Sequence, residues 1–359
     1  MGGCTRFRAW LRRPAVRFLW LAPLLHQVLT GAKSPGEFLA PTNLLVALVV
    51  YGCGGLVVHD LALRWRGEAE ASPYWPRLLW LAAAYGVLVD GVMLGGYTSL
   101  DWSRLGRLAD TGHGHILGLN LTWAVIALAH HVALAVAVPI LLIELTDPYT
   151  RDRRWLTARR LRVYNVLFWL AVVFGALAQQ MRGSWSAYGF VCLLALLMWR
   201  RARWWTPRPQ RQPQYRLTRW LAVHGPHRPW RVWLGCALLT LALLLVVDLA
   251  PKDPPDGIKV FRVWRIFLLT TLTLSLFIRR LSRRITFGWS DRHTLAAVAG
   301  PLLVYALLDI PAAWDTYHGE YPGGQALVGL VVIARLWWLW RASRVKPPPV
   351  TQSLPEPEL

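Results

Sequence analysis

Of the 40 Lys and Arg residues in this chain, 32 lie in alternate gaps between ten apolar segments or at the two ends. Apolar runs of about 17–25 residues are long enough to cross roughly 30 Å of hydrocarbon. Basic residues near span ends are retained on the cytoplasmic side of a membrane. The alternation therefore predicts a topology. The ten segments run over 15–31, 41–62, 78–97, 116–144, 163–181, 186–199, 232–249, 260–278, 294–314 and 323–340. Arg64, Arg66 and Arg77 flank the second gap, Arg151 to Arg162 the fourth, Arg200 to Arg231 the sixth and Arg279 to Arg292 the eighth. Only Lys33, Arg104, Arg107, Arg182, Lys252, Lys259, Arg262 and Arg265 fall on the opposite face. The expected fold class is an all-α, polytopic transmembrane helix bundle of about ten spans, with both termini cytoplasmic.

Composition agrees: 55% of residues are hydrophobic, 16% are charged and 22 are Trp. A net charge of +21 would suit nucleic acid, but the charge sits in short connectors beside apolar spans, where anionic headgroups are the nearer partner. No basic domain outside the membrane is left to bind nucleic acid. The expected partners are the lipid bilayer and anionic lipids at the cytoplasmic face. The chain divides into a basic N-terminal segment (1–14), a transmembrane domain (15–341) with a basic connector at 200–231, and a Pro-rich tail (342–359). Trp204 and Trp205 in that connector, and Trp337, Trp338 and Trp340 near the end, read as interfacial anchors. Cys4, Cys53, Cys192 and Cys236 lie singly, which predicts neither a disulfide framework nor a CxxC metal pair. Thr30-Gly31-Ala32 loosely resembles a signal-cleavage site. His26 and Gln27 in the preceding stretch favour a retained first span.

Ionisable groups inside a span are costly and are functional candidates by default. Those nearest mid-membrane are His26, Asp90 and the pair His130/His131. His59, Asp60 and Glu144 fall near cytoplasmic helix ends, and Asp248 and Asp309 late in their spans. At a rise of 1.5 Å per residue, His26 sits roughly 16 Å from the cytoplasmic end of its span, Asp90 roughly 18 Å and His130 roughly 21 Å. Three helices thus bring titratable groups to a similar depth. Two His and one Asp could hold a divalent metal, relay protons, or act as a base oriented by a carboxylate, in which case Asp90 and His130 are the catalytic pair. Each could instead hydrogen-bond a neighbouring helix and fix packing. A helical step of about 100° allows only one of His130 and His131 to face the cluster. Asn120, on the same helix, joins the ligand- or proton-handling candidates nearer the outer mouth. The identity of any cofactor stays open. Pro139 is expected to kink the fourth span, and the sixth, short span to be re-entrant or tightly paired with the fifth.

The first 150 residues also carry a resemblance. Leu21-Ala-Pro-Leu-Leu-His-Gln, Gly36-Glu-Phe and Tyr51-Gly-Cys-Gly-Gly lead into Ala84-Tyr-Gly-Val-Leu-Val-Asp-Gly91. Gly118-Leu-Asn-Leu-Thr-Trp123, His130 and Pro139-Ile-Leu-Leu-Ile-Glu144 follow. This stretch resembles a group of uncharacterised prokaryotic polytopic membrane proteins. More distantly it is similar to the CPBP (CAAX-protease and bacteriocin-processing) intramembrane proteases. The resemblance implies a water activated by a Glu-Glu pair and His residues on later helices. The pair falls here on Val89-Asp90, the family's Arg on Leu94, and only His130 or His131 keeps its identity.

Three functions suit these residues: a non-catalytic protein handling a small ligand, ion or lipid in a polar midplane pocket, an intramembrane hydrolase, or a proton-coupled transporter. No internal repeat and no paired broken helices are visible, which counts against the transporter. The degraded carboxylate pair favours the first. The expected location is the plasma (inner) membrane of a prokaryote. A fluorescent reporter fused after residue 220 is expected to face the cytoplasm, and protease protection in intact cells checks it.

Overall fold

A computed structural model of the chain describes residues 10–66, 74–98, 115–116, 118–179, 185–204, 228–248, 268–269, 271–276, 290–316 and 322–345. The segment 1–9, most of the connector 200–231, most of the apolar run 260–278 and the tail from 346 lie outside the described residues. So do the side chains of Asp248 and Asp309.

The described chain is almost entirely helical. Helix α1 is Pro14–Pro23 and continues into Leu24–Val28, α2 is the short Pro35–Leu39, α3 is Pro41–Arg64, α4 is Trp75–Met93 and α5 is Leu121–Thr146. There follow α6 (Ala158–Gln179), α7 (Trp185–Arg203), α8 (Pro229–Asp248), α9 (Asp291–Thr316) and α10 (Pro322–Val345). Residues 271–276 are also helical. A two-residue antiparallel ladder, β1 (His115–Ile116) with β2 (Leu119–Asn120), precedes α5.

Among the described residues four helices are long and apolar enough to cross a membrane: α3, α4, α5 and residues 158–178 of α6; Pro229–Leu245 is a shorter apolar helix. Their outer surfaces carry the signature of a lipid solvent. On α6, Val166, Trp169, Leu170, Val173 and Phe174 all point outward, Phe174 being 69% exposed. An apolar strip of this length is not left facing water by a soluble fold. The short sixth apolar run, 186–199, lies within α7, a continuous 19-residue helix that runs on into Arg200, Arg201 and Arg203 and packs on α4.

Helix starts follow local chemistry. Ser34 and Glu37 form a reciprocal capping box at α2, with the Glu37 amide donating to Ser34 Oγ at 3.2 Å and the Ser34 amide to Glu37 Oε2 at 2.9 Å. Proline opens α1, α2, α3 and α8, where its missing N–H costs no helical bond.

Among the described residues two large apolar cores hold the bundle, and a smaller one joins Val232 and Cys236 of α8 to Ala296 of α9. The larger joins α1 and α3 to α7 around Phe18, Val50, Leu56, Leu78, Tyr85 and Phe168. The second packs Leu25 of α1 and Leu134 and Val138 of α5 against Leu295, Val298 and Leu302 of α9 and Leu336 and Leu339 of α10. Connectors meet at one end of the bundle: Arg66 pairs with Asp152 at 2.9 Å and Arg151 with Asp291 at 2.5 Å. At the other end Gly324, where α10 begins, lies beside Pro35.

Four helices do not keep α-helical spacing throughout. Leu24–Val28, Leu48–Cys53, Val87–Met93 and His131–Ala137 are π-helical. The Leu29 amide accordingly donates to the Leu24 carbonyl at 3.0 Å and the Leu94 amide to the Val89 carbonyl at 2.9 Å, each five residues back. A backbone irregularity marks each segment: Pro23 precedes the first, Gly52 and Gly91 lie inside the next two and Pro139 follows the fourth. Proline removes an amide that a carbonyl four residues earlier would use, and a wider turn relieves the misfit. The expectation that Pro139 disturbs the fourth span takes this form.

Close helix contact also depends on glycine. A Cβ on Gly55 would stand 2.6 Å from the Phe18 ring and 3.2 Å from the Ala135 carbonyl, whereas one on Gly189 would meet nothing. Gly55→Val is expected to cost about 1–3 kcal/mol by overpacking α1, α3 and α5. Gly189→Ala is expected to be neutral or stabilising. Thermal unfolding of the detergent-solubilised variants checks the contrast.

Candidate functional site

The π-helical segments deliver the polar groups. His26 lies in the first, Tyr51 in the second, Asp90 in the third and His131 in the fourth, with His130 immediately before it. A π turn adds a residue to the turn, displaces side chains from the regular stripe and occurs often at functional sites. All five residues line one cavity of about 620 Å³. Gln27, Thr30, Trp123, Thr240 and Tyr305 add polar atoms to its wall, while Leu134, Leu243, Leu244 and Pro301 supply apolar surface.

Three imidazoles gather at its centre. The His26 ring stacks on Tyr51 with centroids 4.2 Å apart, and lies 4.4 Å from His131 and 4.8 Å from His130. Gly86 of α4 makes room for His131, since a Cβ there would come within 3.0 Å of the His131 Cβ. His131 Nδ1 donates to the Ala127 carbonyl at 2.8 Å. A carbonyl only accepts, so the neutral ring carries its lone pair on Nε2. That Nε2 is buried and has no partner among the described residues. His130 is only partly buried and its Nδ1 lies 3.0 Å from the Tyr305 hydroxyl, which ties α5 to α9. Asp90, 2% exposed, lines the cavity with the Trp123 indole and Tyr97 beside its carboxyl, and its Oδ2 makes no hydrogen bond of normal geometry among the described residues.

The structure thus brings His26, Asp90, His130 and His131 to one cavity. The helical-wheel expectation that only one of His130 and His131 faces the cluster is corrected, because the chain passes into the π turn at His131 and the cavity is broad enough to receive both. Asn120 has another task. It is fully buried but does not line the cavity: its side chain accepts from the Trp123 amide at 2.9 Å and caps α5, and its own amide donates to the Tyr97 carbonyl at 2.8 Å. Among the described residues, no three His, Cys, Asp or Glu side chains are arranged to hold a metal ion. Tyr51, Trp123 and Tyr305 have no sequence signal of their own, since aromatic residues are common in apolar spans.

A second polar cluster lies at the end where Arg66 meets Asp152, where the His59 ring nitrogens and Asp60 Oδ2 are also buried without a hydrogen-bond partner among the described residues. Asp60 Oδ1 accepts from the Trp155 amide at 3.0 Å and the Leu156 amide at 3.3 Å, and His59 stacks on the Trp155 indole at 3.9 Å. Tyr74 donates to Glu144 at 2.6 Å, and burial together with that carboxylate pushes the Tyr74 phenol well above its usual range. Arg17 adds a donor to Thr146 and to the Ile143 carbonyl. These bonds tie the loop after α5 to α1, α3 and α4.

The four long apolar helices define a helical multi-pass membrane protein. No protein-family model matches the chain, and comparison with curated proteins and with solved structures gives no match either.

The two clusters predict opposite responses. Asp60→Ala removes an acceptor from two buried amides and is expected to cost about 1–3 kcal/mol. Asp90→Asn removes a buried ionisable carboxyl without changing its volume and is expected to leave the melting temperature unchanged or higher. Parallel thermal melts of the two variants check the difference.

Proposed function

We propose that this chain is a ten-span protein of a prokaryotic plasma membrane, with both termini cytoplasmic, that handles a small ligand in its polar cavity without chemistry. The observation that carries the reading is the convergence of four titratable side chains from three helices on one cavity. Polar side chains inside a bilayer are expensive, so a group of them with incomplete hydrogen bonding needs a role beyond packing.

The pairing of Arg66 with Asp152 and of Arg151 with Asp291 supports the topology, because it brings the second, fourth and eighth gaps to one end. An even number of crossings must separate the fourth gap from the eighth. Helices α6, α7 and α8 supply three, and the apolar run 260–278 supplies the fourth. The arginines at this end suit anionic headgroups of the cytoplasmic leaflet.

Hydrolysis is the second reading, in line with the CPBP resemblance. It is favoured by a carboxylate and imidazoles on the wall of one cavity, since a lone carboxylate beside a base can activate water. Cleavage of a membrane-inserted peptide in vesicles, lost on Asp90→Asn, would select it.

Ligand handling requires that the cavity admit small molecules from water. In a background lacking the native cysteines, Ala129→Cys on the cavity wall is expected to react with a small methanethiosulfonate reagent. Val173→Cys on the outward face of α6 is expected to stay inert, because thiolate forms poorly in hydrocarbon. Equal inertness of both cysteines, read by mass spectrometry of intact protein, would contradict the proposal.

A further inference from the structure

Building on the reading of the cavity as a ligand site, we infer that its ligand is a small protonated amine, an alkylammonium carrying N–H donors. The assignment follows from what the cavity wall offers and lacks. The Trp123 indole lies beside the Asp90 carboxyl, and Asp90 Oδ2 and His131 Nε2 are buried polar atoms of residues on this wall with no hydrogen-bond partner among the described residues. Both are acceptors. The carboxylate accepts by nature, and Nε2 accepts because Nδ1 is committed to the Ala127 carbonyl. Buried acceptors call for donors, and leaving them unmatched costs the desolvation of each group.

Charge narrows the choice. Among the described residues that line the cavity, Asp90 is the one carboxylate and none is Lys or Arg. A carboxylate in the bilayer interior is costly unless it meets a positive partner, and a protonated ligand would supply one. An anion would meet Asp90 with no cation to receive it. A neutral alcohol would match the acceptors but not the charge. A quaternary ammonium would match the charge but has no N–H for His131. A divalent cation lacks three suitably arranged ligands among the described residues. The protonated amine satisfies both demands.

The rest of the wall fits the same ligand. Tyr51, Trp123 and Tyr305 place aromatic rings around the acceptors, and aromatic faces attract cations. Leu134, Leu243 and Leu244 offer apolar surface for an alkyl chain, leaving a few polar groups to fix the charged end.

The test uses the full-length protein in lipid nanodiscs at neutral pH, titrated calorimetrically with n-butylammonium, tetramethylammonium, n-butanol and butyrate. Butylammonium is expected to bind the most tightly of the four. Asp90→Asn, an isosteric change that keeps the fold, is expected to weaken it roughly ten- to a hundredfold, the worth of a hydrogen bond to a charged group. The ¹⁵N resonance of His131 Nε2 is expected to shift on adding butylammonium and not on adding tetramethylammonium. Butyrate or butanol binding as tightly, an Asp90→Asn variant that binds butylammonium unchanged, or no binding by any probe would overturn the inference. If Ala129→Cys reacts while butylammonium shows no preference, this inference falls and the ligand cavity stands; an inert Ala129→Cys removes both.

Discussion

A peptide group in hydrocarbon has no water to bond, and leaving one unpaired costs several kcal/mol. That demand forces every crossing of this chain into a helix, because only a helix pairs its backbone within its own segment. The same solvent makes each buried polar side chain expensive, so polar groups are few and must justify their place. Most of the architecture follows from these two pressures. Apolar strips such as Val166 to Phe174 on α6 are turned outward, and arginines are confined to the ends, where Arg66, Arg151 and their partners bind the connectors together.

The two polar clusters divide the cost of buried polarity in different ways. At the end near Asp152, Asp60 spends one carboxylate oxygen on two loop amides and Glu144 receives the Tyr74 hydroxyl. Bonds of this kind hold a loop to a bundle. In the cavity, Asp90 Oδ2 and His131 Nε2 are likewise buried without a partner among the described residues, as His59 and Asp60 Oδ2 are in the first cluster, and His26, His130 and Tyr51 crowd around His131. Proteins accept such local instability where function needs it. The π turns belong to the same compromise: each gives up regular α-helical spacing where a cavity residue is presented, and does so beside a Pro or Gly that already disfavours the regular helix.

Much of this was legible in the residues. Apolar runs bounded by arginine located the helical segments to within a few residues at most ends, because length and charge are what a bilayer selects. Depth counted at a fixed rise brought His26, Asp90 and His130 to one level, and they line one cavity. The same counting failed at His131, where a regular 100° step does not survive the passage into a π turn. Asn120 looked like a polar group of the pore and is a cap, because what lies three residues ahead of it, the Trp123 amide, is a matter of where the helix begins. Tyr51 and Tyr305 were invisible because a tyrosine in an apolar span has no pattern that separates wall from core. Irregular residues beside polar ones, as in Tyr51-Gly52, Asp90-Gly91 and Pro23 ahead of His26, are the signal that would have pointed to the π segments.

The central claim is that imidazoles from α1 and α5 meet inside the membrane. The most direct measurement replaces His26 and His130, whose rings lie 4.8 Å apart, by cysteines in a chain freed of its native thiols. Mild oxidation in native membranes is expected to link them quickly and within a single chain, seen as a mobility change that reductant reverses. Failure of this pair to link, while a pair joining α1 to the outward face of α6 does so, would contradict the account.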